Sequence, residues 1–220
     1  TVNRYAAVLA ATAVLFWFLS EEDPVTAARS RGEAPARSFA AEFAPLADIR
    51  VLRFSLYYFF VFGGFVALAL WLPRYLVGVY GFDVASAGMV GAAYSIPGSI
   101  FRAWGGALSD RYGARAVLYW TFGVSALAAL ALSLPLGAAG QPGLSPAAFI
   151  ALVFVLGLFM AIGKAAVFKH IPVYYPQNVG AVGGMVGMIG GLGGFVLPIA
   201  FGWLKDATGL WSSCFMLLFV

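Results

Sequence analysis

The chain has 220 residues, 62% of them hydrophobic and only 10% charged, with a mean hydropathy of +0.91, whereas soluble domains carry about 25% charged residues. No water-soluble fold can hide that much apolar surface. The net charge of +4 comes from 13 Lys and Arg scattered over loops and helix ends, without the basic run or stripe that nucleic acid requires. The lone Cys214 and lone His170 exclude an internal disulfide framework and an ordinary zinc site, so neither metal nor cofactor is expected.

In chain order, apolar runs predict membrane spans at 5–19, 54–77, 84–108, 116–136, 147–171 and 180–203, with a truncated one from 211. Runs of about 20 residues cross a hydrocarbon core of about 30 Å as helices, and their continuity rather than period-two alternation excludes a barrel. The expectation is an all-α polytopic membrane protein in a lipid bilayer. Between the first two spans, residues 20–53 form the one long polar stretch, with five arginines. Arg111 and Arg115 follow on the same side, then Lys169 and His170, against Arg4, Arg74 and Lys205 opposite. By the positive-inside tendency, 20–53 is a cytoplasmic linker in the inner membrane's cytoplasmic face. Because the chain begins and stops inside apolar runs, it reads as a fragment: 1–19 as the last helix of one bundle and 54–220 as a truncated six-helix bundle.

Between the spans at 84–108 and 116–136 lies Gly105-Gly106-Ala107-Leu108-Ser109-Asp110-Arg111-Tyr112-Gly113-Ala114-Arg115. It resembles the G-x-L-x-D-R-x-G-R signature of major facilitator transporters, with Arg115 at its last basic position. The resemblance implies two six-helix halves with the substrate site between them near the midplane. On that basis the spans are the sixth to twelfth of the major facilitator fold. The glycines permit close helix approach and a tight turn, and Asp110 can cap or pair across a contact that breaks during transport. Gly106, Asp110, Arg111, Gly113 and Arg115 are therefore read as a gating motif; the plainer alternative is a charged turn with snorkelling arginines.

The span at 180–203 is unusually rich in glycine, although each interior Gly costs about 0.5–1 kcal/mol against Ala. Gly180, Gly184, Gly187, Gly191 and Gly194 recur at spacings of four and three as a bare stripe that a backbone or small ligand can approach. Ordinary small-residue helix packing explains the same pattern. Together with Ala165 to Pro172, the run Gly180 to Pro198 resembles the second nitrate signature of the nitrate/nitrite porter family. Tyr58 to Phe65 and Phe101 to Gly106 match that family too. Membership implies nitrate or nitrite as substrate, with Gly183, Gly187, Gly190 and Gly191 on the substrate path.

Arg102 lies about 12 Å inside the membrane from Asp110, too deep for comfortable snorkelling. A guanidinium fork grips a planar oxyanion through paired hydrogen bonds, and the family resemblance implies that role. Pairing with an acid elsewhere in the protein is the alternative. Tyr58 and Phe62, four residues apart on one helix face at that depth, can wall the anion, although the match can also slip to Tyr57. Lys164 sits at the depth of Arg102 and is the proton-coupling candidate, since burial disfavours a charged ammonium. Some family members have a neutral residue there, and Lys164 as a helix-stabilising or snorkelling side chain stays open. Moving an anion into a negative interior costs about 2.3 kcal/mol per 100 mV, so either proton symport or nitrate/nitrite exchange is required. Symport is the expected mode. An intramembrane enzyme would need a nucleophile and base, a metal pair or paired carboxylates within the spans, but all nine acids lie in loops or at span ends. A facilitator for another small solute is the remaining rival.

Overall fold

The computed structural model describes residues 2–20, 27–28, 31–32, 43–134 and 143–220. Most of the expected linker, and the expected end of the span at 116–136, lie outside the described residues. The chain divides into two units, Thr1–Glu42 and Phe43–Val220. The first contains α1 (Val2–Leu19), an apolar helix.

The second unit is a bundle of α2 (Ile49–Tyr80), α3 (Val84–Tyr112), α4 (Ala114–Ser133), α5 (Pro146–Tyr174), α6 (Val179–Thr208) and the short α7 (Ser213–Phe219). The first five are long and apolar enough to cross a membrane. Three of the starts have a side-chain cap. Asp48 accepts from the Arg50 amide at 2.8 Å, Asp83 from Ala85 and Ser86 at 3.0 Å, and Ser145 from Ala148 at 3.3 Å with Pro146 at the first helical position. Gly81 and Gly209 end α2 and α6 in the left-handed region that favours glycine, at φ 68° and 71°.

Helix α2 starts at Ile49 rather than Phe54, because Asp48 supplies a cap inside the polar stretch. Helix α3 runs on to Tyr112, so most of the expected loop motif is helical and only Gly113, at φ 86°, makes the turn. Helix α5 passes Pro172 to Tyr174.

Helix α5 packs along both α3 and α4 and also touches α2, while α6 lies along α2 and α7 against α4 and α6. Close approach depends on missing side chains. A Cβ on Gly105 of α3 would stand 2.5 Å from the Ile162 carbonyl oxygen, and one on Gly157 of α5 would stand 2.4 Å from the Tyr94 ring. Residues Phe59–Gly64 of α2 are wound as a π-helix, a form common where a helix is adapted to function. There Gly63 meets the backbone of α6 at Gly190 and Gly193. At the far end of α2, Tyr75 stacks on Phe149 at 4.5 Å and meets Trp211 and Phe215 edge-on, clasping α7 to the bundle.

Candidate anion site

Tyr58 opens the π-helical segment of α2 and is 4% exposed. Its ring stacks on Phe62 at 5.0 Å and meets Phe168 of α5 edge-on at 4.8 Å. Gly190 of α6 forms the opposite wall: a Cβ there would lie 2.2 Å from the Tyr58 ring, so any side chain at 190 would displace it. With the ring held on three sides, Tyr58 lies close enough to the Arg102 guanidinium on α3 to feel its charge. Arg102 is exposed, so part of its fork remains open. Tyr57 points elsewhere, onto Phe122 of α4 at 5.1 Å.

Lys164 projects from α5 into the same region and is 5% exposed. Its ammonium sits 3.2 Å from the centroid of the Phe65 ring and 5.7 Å from that of Phe62. A cation over an aromatic face gains about 2 kcal/mol or more once desolvated, which offsets part of its burial. Lys164 also feels the charge of Arg102. Two like charges thus share one aromatic-lined region, and neither forms an ion pair among the described residues. An anion between them would turn a repulsion into two attractions.

The α6 glycines divide in two. Gly190 and Gly193 are buried against α2, whereas Gly180, Gly184, Gly187 and Gly191 have nothing within 4 Å of a would-be Cβ. Gly183 approaches only Phe168, at 3.7 Å, and Gly194, the last member of the stripe, meets Val66 at 3.0 Å. Helix packing therefore uses a second face that the stripe did not reveal. Sequence reasoning also passed over Phe65, Phe168 and Gly63; Phe168 and the Gly63-Gly64 pair stood inside the stretches that carried the family resemblance.

In the loop motif, Asp110 ends α3 and receives a hydrogen bond from Lys169 of α5 at 2.5 Å, an ion pair with side chains 64% and 43% exposed. Lys169 is thus a partner of the motif. Arg111 lies over the Tyr112 ring at 5.3 Å, and a Cβ on Gly106 would meet nothing within 4 Å. Nearby, the Tyr175 hydroxyl donates to Asp48, tying the end of α5 to the start of α2. That bond holds the Asp48 carboxyl below its ordinary 3.8, while burial and the Asp48 contact push Tyr175 up to about 12.

A multi-pass bundle with cations and aromatics gathered inside its membrane-crossing helices has the build of a membrane transporter. The chain belongs to the major facilitator superfamily, whose family model matches residues 5–145 and 84–220. It is 43% identical, over 98% of its length and 50% of the relative's, to the Thermus thermophilus protein named "Probable nitrate/nitrite antiporter NarK1". It is 34% identical, over 91% of its length and 48% of the relative's, to the "Probable nitrate/nitrite transporter NarK2" of Mycobacterium tuberculosis. The "Nitrite extrusion protein" of Bacillus subtilis is 30% identical over 74% of the chain and 40% of its own length. Among solved structures, the transporter FucP in its outward conformation aligns with a TM-score of 0.63 at 21% identity, covering 97% of this chain and 51% of that one. That likeness concerns the fold. The chain spans about half the length of the curated relatives it matches.

Proposed function

We propose that the chain forms one half of a nitrate or nitrite transporter working by alternating access in the inner membrane, with Arg102 as its anion-binding residue. The observation that carries this reading is the pair of cations, Arg102 and Lys164, without an ion-pair partner among the described residues and set among Tyr58, Phe62 and Phe65. A small planar oxyanion fits the open guanidinium fork, with the Tyr58 side chain beside it. The aromatic rings exclude water and so strengthen the electrostatic contact. The names of the relatives supply the substrate class. Gly187 and Gly191 leave α6 bare where it would slide as the halves rock, and the Asp110–Lys169 pair closes the end of the bundle.

Lys164 is the proton carrier of a symport cycle in this scheme: its ammonium has no carboxylate partner among the described residues, so an anion and a proton can arrive together and leave together. One-for-one nitrate/nitrite exchange is a second reading, favoured by the antiporter name of the Thermus relative; there Lys164 stays charged and only compensates the anion. Nitrate uptake by the whole transporter in sealed vesicles separates them. Uptake driven by an imposed pH gradient, and lost in Lys164→Gln, supports symport. Uptake that requires internal nitrite supports exchange, and uptake under neither condition refutes a nitrate/nitrite substrate.

A further inference from the structure

At the end of the bundle that carries Asp110 and Lys169, a cavity of about 330 Å³ opens between the starts of α2 and α4 and the end of α5. Arg50 and Arg53 reach it from the first turns of α2, and Arg115 from the first turn of α4. His170 and Tyr174 close it from α5. It is separate from the Arg102 region, which lies deeper along α3.

The pocket is built rather than a chance gathering of surface charge. Arg50 lies over the Tyr174 ring, 5.7 Å from its centroid. Tyr174 stacks nearly parallel to His170, and both rings pack on buried Phe54 at 5.8 and 5.3 Å. The Nδ1 of His170 donates to the Ala166 carbonyl at 2.9 Å, which leaves Nε2 free of that bond. Among the described residues none of the three arginines forms an ion pair. Asp48 caps α2, accepts the Tyr175 hydroxyl and interacts with the Arg50 charge. Asp48 offsets the charge of Arg50 in part, whereas Arg53 and Arg115 have no ion-pair partner among the described residues, so an anion in the pocket would relieve their mutual repulsion.

Two features define that anion. A cluster of forked guanidiniums suits an oxyanion with several acceptor oxygens, which is the chemistry of phosphate. Furthermore, the pocket lies where the ends of membrane-length helices meet, and on its rim the Tyr119 side chain of α4 is 72% exposed. An amphipathic aromatic side chain beside a basic pocket is suited to a lipid with its phosphate in the pocket and its chains along the helix. We propose that the Arg50, Arg53 and Arg115 pocket binds a phosphate group, carried by an anionic membrane lipid or free in solution.

The test uses the whole transporter, purified in detergent and monodisperse, with retained lipid counted by native mass spectrometry and thermal stability measured beside it. Phosphatidylglycerol is compared with phosphatidylcholine and with inorganic phosphate in lipid-free detergent. Wild type is expected to retain phosphatidylglycerol over phosphatidylcholine, and Arg53→Gln with Arg115→Gln to weaken that retention about fivefold per arginine. Arg74→Gln removes an arginine stacked on Trp71 at the other end of α2 and should leave retention unchanged. Stabilisation by inorganic phosphate alone, lost in the double variant, would identify the free anion as occupant of the same pocket. Equal binding of both lipids with no response to phosphate, or equal loss in Arg74→Gln, would overturn the proposal. None of these readouts depends on nitrate.

Discussion

The contact between α2 and α6 at Gly63 offers the most direct test of how this bundle is packed. A Cβ at Gly63 would lie 2.6 Å from the Gly193 Cα, 2.8 Å from the Gly190 carbonyl oxygen and 2.9 Å from the Gly193 carbonyl carbon. All three are backbone atoms, so no rotamer change relieves them. Gly63→Ala forces the helices apart by about 0.8 Å to restore ordinary contact. Overpacking of this kind costs about 1–3 kcal/mol, against which the better helix propensity of Ala returns about 0.5–1 kcal/mol. The expected net loss of about 1–2 kcal/mol lowers Tm by about 2–4 °C for each kcal/mol in a chain of this size. Thermal unfolding of the detergent-solubilised protein would read it. Gly123→Ala, on an exposed part of α4 with nothing within 4 Å, should be neutral or stabilising by up to about 1 kcal/mol. An unchanged or raised Tm in Gly63→Ala, or an equal fall in Gly123→Ala, would refute backbone contact between the two helices.

Arg102→Lys should abolish nitrate uptake while leaving expression and Tm intact, since an ammonium lacks the planar fork; retained uptake would remove Arg102 from the anion site. The Asp48–Tyr175 bond needs an ionised carboxyl and a neutral phenol. Its stabilisation should be complete between about pH 4 and pH 10. It should fade as pH falls below 3.8 through the lowered Asp48 value, and as pH rises from 10.0 towards the Tyr175 value of about 12. Comparing Tyr175→Phe with wild type across those two ranges checks the sign, because the variant should lose the alkaline dependence and only part of the acid one, Asp48 keeping the Arg50 amide. The exposed Asp110–Lys169 pair should couple by no more than about 1 kcal/mol in a double-mutant cycle, and less in high salt. A coupling above 2 kcal/mol would show the bridge to be shielded from water.

Helix type and span order were legible because apolar run length answers directly to bilayer thickness, and this chain has almost nothing else in its runs. The placement of Tyr58 and Phe62 on one face followed from helical spacing, and the two rings stack. Boundaries were less legible where a cap or a single glycine decides them: Asp48 drew α2 back to Ile49, and α3 ran through the loop motif as far as Gly113. The glycine stripe of α6 misled in part, since spacing marks a bare face but says nothing of which face a neighbour takes. The packed face is the one containing Gly190 and Gly193.

From its sequence alone this chain determined an all-helical membrane bundle, its family resemblance and an arginine within a membrane-length helix, because those depend on local composition and on spacing along one helix. Tertiary structure decided what that arginine meets. The Tyr58 side chain beside it, the Phe65 ring beneath Lys164, the Asp110–Lys169 pair and the three-arginine pocket each join residues from different helices. Such meetings depend on helix rotation and crossing, which are set by close packing at positions such as Gly63, Gly105 and Gly190, where the absence of one methyl group lets two helices touch.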